Sequence, residues 1–255
     1  MFLFSNAKDL EKMKSACRIA ANVLKKLSLE LAPGITTYDL NELAKQFISD
    51  YGAQSACYQY SVGNRKYPGH VCISINEEVV HGIPSRDKVI KSGDVVSLDV
   101  CIIYEGFVGD NAITLPVGSV ASDIYYLLDI TKKSLFMGID QAINGNRVGN
   151  ISYAIQSYVE HAGLQVVKDF VGHGVGRSMH EEPQIPNFGK PNTGPSLYTG
   201  MALAIEPMVN MEKSQVRCLK DQWTIVAVDQ KPSAHFEHTV LVTQNEPQIL
   251  TLPDI

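Results

Sequence analysis

The chain has 255 residues, 45% of them hydrophobic and 19% charged, enough for one substantial core and without a disordered or low-complexity tract. A net charge of -5 with no basic stripe argues against binding a nucleic-acid backbone, and no apolar run reaches membrane-spanning length. Five cysteines, an odd number with no CxxC pair, suit a reducing compartment, and the Met1–Asn6 stretch is too short for a signal peptide, so the cytoplasm is the expected location.

In chain order, apolar residues at helical spacing predict a long helix from about Lys8 to Glu30. Pro33-Gly34-Ile35-Thr36-Thr37 then leads into a second helix ending near Tyr51-Gly52, with Leu40, Ala44 and Phe47 on one face. The run Ile73 to Val80 ends at His81 before a Gly-Ile-Pro turn, which places that imidazole at a strand end facing a cleft. Residues 95–103 and 107–112 read as two strands. If Glu105-Gly106 is a two-residue turn, Cys101 opposes Asp110, Asp99 opposes Ala112, and both aspartates share a face. An aspartate between Leu98 and Val100 is costly to bury unless it is paired or coordinated.

The helical pattern then returns at an offset of 111 residues. A helix from about Ser122 to Ile143 precedes a second one ending near Ala162-Gly163, in which Ile151, Ile155 and Tyr158 repeat the earlier stripe. Strand-rich segments follow each helix pair. The expectation is therefore one α+β catalytic domain of two pseudo-symmetric halves, about 8–118 and 119–250, sharing a curved antiparallel sheet with helices on its outer face. Past the second pair, three glycines flank His173, a pattern that lets backbone come close to a ligand, and His180 follows seven residues on. Their spacing is not that of a nucleotide loop. Glu206 ends the apolar run 201–205 and precedes Pro207, while alternation around Glu237 puts His238 on the opposite face. Asp99, Asp110, His173, Glu206 and Glu237 together offer four carboxylates and one imidazole, a donor set for two divalent ions that activate water.

Ordered blocks across almost the whole chain resemble the type I methionine aminopeptidases of the creatinase-like, pita-bread metallohydrolases. They are Tyr67-Pro68-Gly69-His70 through His81-Gly82-Ile83-Pro84, Gly93-Asp94-Val95 with Asp99 and Asp110, Gly172-His173-Gly174 through His180-Glu181-Glu182-Pro183, Ile205-Glu206-Pro207, and Phe236-Glu237-His238-Thr239. The resemblance implies that Asp110, His173, Glu206 and Glu237 hold one ion and Asp99, Asp110 and Glu237 the other. The ions would be cobalt, manganese, iron or zinc. It further implies Glu206 as proton shuttle, His81 and His180 beside the scissile peptide, and Ser61, Tyr67, Cys72, Met179 and Trp223 lining a slot for a thioether. The 33 residues from His173 to Glu206 leave no room for the insertion that marks the type II enzymes.

Three positions depart from the usual pattern: many bacterial members have cysteine at the place of Ser61, tyrosine at that of Asn64 and phenylalanine at that of Met179. The implied substrate is the N-terminal peptide of newly made proteins, met at the ribosome by a monomer that needs neither a specific nucleic acid nor a membrane. Two other classes share the pattern in part. Proline-specific aminopeptidases and dipeptidases of the same fold usually carry a second N-terminal domain, and a non-catalytic binding relative would have lost ligands that are all retained here.

Overall fold

The computed structural model describes residues 3–4 and 6–254, so Met1, Phe2 and Ser5 of the N-terminal stretch lie outside the described residues. Helix α1, Ala7–Glu30, starts where the Asn6 side chain accepts the Asp9 backbone N–H at 2.8 Å, and α2, Thr37–Asp50, starts with a reciprocal Thr36/Asp39 capping box. The second pair is α3, Ser122–Ile139, and α4, Val148–His161. Both ends of α4 stand 111 residues after those of α2. Leu40, Ala44, Ile151 and Ile155 are fully buried in the two copies, with Phe47 and Tyr158 packed at the edges. Truncating Leu40, Ile151 or Ile155 to alanine is expected to cost about 2–5 kcal/mol. Helix α3 stops four residues before the expected Ile143 because the chain is drawn onto the sheet: Ile143 bridges Thr243, and the Asn144 N–H donates to the Thr243 carbonyl.

Among the described residues the main sheet has nine strands, all paired antiparallel. Its path runs Gln54–Ser55, Val95–Tyr104, Phe107–Pro116, Glu237–Leu241, Ala202–Ile205, Val171–Gly174 and Glu181–Pro186. Cys72–Ile75 adds to 95–104, and Gln248–Ile249 adds to 237–241. Hydrophobic side chains collect in two large clusters between this sheet and the helices, one around α1 and α2 and one around α3 and α4. Gly109 shows why α1 sits so close: a Cβ there would come within 2.4 Å of the Ala16 carbonyl oxygen. Gly109 and Asp110 are neighbours on a strand, so the helix contact and the aspartate lie on opposite faces. Among the described residues, no helix is long and apolar enough to cross a membrane.

Candidate metal centre

Strand register alone gathers the acids. Ala112 pairs with Asp99 on one side and with Glu237 on the other, which aligns the three side chains in one row on one face. Asp110 is two residues from Ala112 and therefore on that face as well. Ala204 pairs with Thr239 and with His173, so Glu206, two residues beyond Ala204, and His173 also project to it. The hairpin has the expected register, Cys101 opposite Asp110 and Asp99 opposite Ala112.

All five side chains line one cavity of about 210 Å³. Asp110, His173 and Glu237 present ligand atoms within 4.8 Å of one another, and His173 Nε2 lies 3.4 Å from Glu206 Oε1 and 3.9 Å from Asp110 Oδ2. Burial sets the protonation. It lifts Asp99 to about 6, with Glu206 adding to the rise, and lifts Glu206 to about 8. Asp110 is held well above the carboxylate range by burial and by the charges of Asp99 and Glu206, and Glu237 by burial and by the charges of Asp110, Glu206 and Asp99. Burial also pushes His173 down to about 3, so it is neutral. Its Nδ1 lies 3.0 Å from the Gly174 carbonyl, which only accepts, so the proton is on Nδ1 and the Nε2 lone pair faces the carboxylates. A lone pair and four acids that repel one another, with no lysine or arginine paired to them among the described residues, form a donor set that fits divalent cations.

The glycines around His173 serve strand packing rather than a ligand. A Cβ on Gly172 would meet the Ala204 carbonyl oxygen at 2.4 Å, and one on Gly174 would meet that of Glu182 at 2.3 Å. Gly172→Ala is therefore expected to lower unfolding free energy by about 1–3 kcal/mol, read by urea denaturation, and to weaken metal binding through His173. Wild-type stability in that variant would show that the strands have slack.

Of the other expected site residues, His81, His180, Tyr67, Cys72, Met179 and Trp223 line the same cavity. His81 takes a left-handed backbone, φ 59°, and meets the Phe170 ring edge-on, while burial lowers its pKa to about 4. His180 stands edge-on to His173 at 4.4 Å, and its Nδ1 lies 2.6 Å from the Tyr60 hydroxyl. Tyr67 spends its hydroxyl on the Gly82 carbonyl at 2.7 Å and offers only its ring, which meets Trp223 edge-on.

Ser61 requires a correction. It is exposed on the small hairpin Ser61–Val62 with Arg65–Lys66, its hydroxyl donates to the Gln59 carbonyl, and it is not among the residues lining the cavity. Alternation turns Tyr60 and Val62 inward instead, and Cys57 supplies the wall beside Cys72, whose thiol is held well up by its contact with Cys57 and by burial. A cysteine thus lines the slot after all, from four residues earlier. Asn64 lies exposed in the same hairpin's turn. His235 was also missed: alternation that separates His238 from Glu237 puts His235 on Glu237's side.

A profile described as metallopeptidase family M24 matches residues 11–244. The chain belongs to metallopeptidase family M24. As an M24 peptidase it uses divalent metal. It is 45% identical to methionine aminopeptidase 1 of Bacillus subtilis over 251 residues, 98% of this chain and 99% of that one. The crystal structure of a methionine aminopeptidase from Thermotoga maritima superposes with a TM-score of 0.93 at 42% identity, covering 98% of this chain and 99% of that one. The prolidase from Pyrococcus furiosus has a TM-score of 0.77 at 21% identity, and the match spans 65% of its length, so that likeness speaks for the pita-bread fold alone.

Proposed function

We propose that this M24 peptidase removes the N-terminal methionine from peptides and newly made proteins whose second residue is small. The full-length 45% identity to a methionine aminopeptidase carries this reading. Asp110, His173, Glu206 and Glu237 would hold one divalent ion and Asp99, Asp110 and Glu237 a second, with cobalt, manganese, iron and zinc all suited to mixed oxygen and nitrogen donors. Such ions supply Lewis acidity, making water nucleophilic near neutral pH and polarising the scissile carbonyl.

The side chains do the rest. Glu206 accepts the attacking water's proton at its carboxylate and returns it to the departing amine. We assign the Tyr60 hydroxyl as hydrogen-bond donor to His180 Nδ1, 2.6 Å away, the tautomer that leaves a proton on Nε2 for the substrate carbonyl oxygen. His81 donates from the other wall. Tyr67, Cys72, Met179 and Trp223, with Cys57 and Val62, form an apolar, sulfur- and ring-rich slot suited to a thioether. We take residues 8–118 and 119–250 as halves of one catalytic unit that acts as a cytoplasmic monomer on nascent chains at or near the ribosome; the free cysteines suit that compartment.

A peptide panel tests the substrate. With first residues Met, Leu, Pro and Ala and second residues Gly, Ala, Ser and Leu, metal-loaded protein is expected to release Met ahead of small residues. Leucine should be released at a rate lower by about 1–3 kcal/mol in barrier per misfit methylene. Preferred cleavage ahead of proline would move the assignment to the proline-specific relatives.

A further inference from the structure

His235 is 2% exposed, lines the cavity, and has an Nε2 without a hydrogen-bond partner. Leaving a buried imidazole nitrogen unpaired costs about 1–3 kcal/mol, so its placement calls for an acceptor. The acceptor within reach is Glu206 Oε2, 3.4 Å away, while Glu206 Oε1 stands 3.4 Å from His173 Nε2. The carboxylate therefore lies between two imidazoles, one at each oxygen. His173 has its proton on Nδ1 and cannot donate from Nε2, so once Glu206 is ionised His235 is the imidazole able to hold it by a hydrogen bond.

The backbone of His235 is fixed. Its N–H donates to Thr114 Oγ1 and its carbonyl accepts from the same hydroxyl, both at 2.7 Å, and Ser97 Oγ meets Thr114 Oγ1 at 2.8 Å. His235 also pairs in register with Met208, two residues after Glu206. The ring thus hangs from a fixed backbone, and its burial leaves it little room to turn away from the carboxylate it faces.

We propose that His235 is a positioning residue for Glu206: its Nε2–H engages Oε2 and sets the rotation of the carboxylate, so that Oε1 is the oxygen presented to the metal-binding cluster. This rests on the role given to Glu206 above. Catalytic contacts that are loose or misaligned in a protein without substrate commonly tighten in the working complex. Partners that orient a metal ligand are typically worth 10–100-fold in metal affinity or activity.

The test compares wild type, His235→Leu and His235→Gln. Cobalt(II) affinity is measured by calorimetry, kcat and KM with a Met-Ala-Ser peptide, and folding by thermal melting. H235L is expected to bind cobalt about 10–100-fold more weakly and to lose kcat with KM nearly unchanged, and H235Q, which restores an N–H donor, to recover most of both. Wild-type affinity and kcat in H235L would overturn the proposal, as would an H235Q as defective as H235L while both melt normally. Should H235L not fold, the ¹⁵N spectrum of the wild-type histidines decides: a proton on Nε2 of His235 is required, and one on Nδ1 overturns it. Failure of the wild type to bind cobalt or release methionine would instead sink the reading of the site.

Discussion

Replacing Glu206 by glutamine is expected to slow peptide hydrolysis at least about a hundredfold while the protein still folds. Glutamine keeps the size of the side chain and one oxygen, so the cavity wall survives. It removes the carboxylate that takes the water's proton and returns it to the departing amine. The variant also relieves one of four acids crowded in the cavity, so the metal-free protein should melt no lower than wild type. Rate, metal content and melting measured together separate the roles. Near-normal turnover with full metal loading would remove Glu206 from the mechanism.

Stripping the metal is expected to make stability fall as pH rises above about 6.5. Asp99 and Glu206 have folded-state pKa values of about 6 and about 8, raised from ordinary values of 3.8 and 4.5, so the folded protein binds more protons than the unfolded chain across that window. Their contribution is fully present below about pH 4 and is lost as pH passes through 6 and 8, whereas His81 and His173, lowered by burial to about 4 and about 3, act in the opposite sense below about 6.5, so the net fall is expected above that pH. From there through about 8 the fall is on the order of 2 kcal/mol, or roughly 4–8 °C in melting temperature for a domain of this size. Divalent ions should restore most of it at pH 8.5 and little at pH 5, where protons compete for the same oxygens. A metal-free protein that melts at one temperature from pH 6.5 to 9 would refute the raised carboxylates.

Much of this was legible in the residues. A period of two around a Glu105-Gly106 turn suffices to put Asp99 and Asp110 on one face, and the helical stripes repeat at the interval that the helix bounds follow. Interleaved pairing was not legible. Nothing local says that Ala112 stands between Asp99 and Glu237, more than a hundred residues apart in sequence, because register between distant strands is set by which faces the helices cover. The slot was the least legible part. Ser61 was placed in the wall by matching sequence positions, whereas the short hairpin at 61–66 displaces it outward and leaves the wall to Cys57. The glycines beside His173 belong to the same class of error, since a glycine needed for strand approach reads the same as one needed for a ligand.

The seam of the main sheet has a consequence for how damage elsewhere would show itself. Phe107–Pro116 meets Glu237–Leu241 through the pairs Glu237 with Ala112 and His238 with Asn111, and the acids contributed by the first hairpin face those of the later strands across that short join. Each side is backed largely by its own apolar cluster. A substitution deep in either cluster that shifts one side by a fraction of an ångström would leave both folds intact yet misalign donors drawn from the two. Metal affinity is thus a gauge of alignment across that join, and variants selected only for heat tolerance should reveal their cost there before any change in secondary structure is seen.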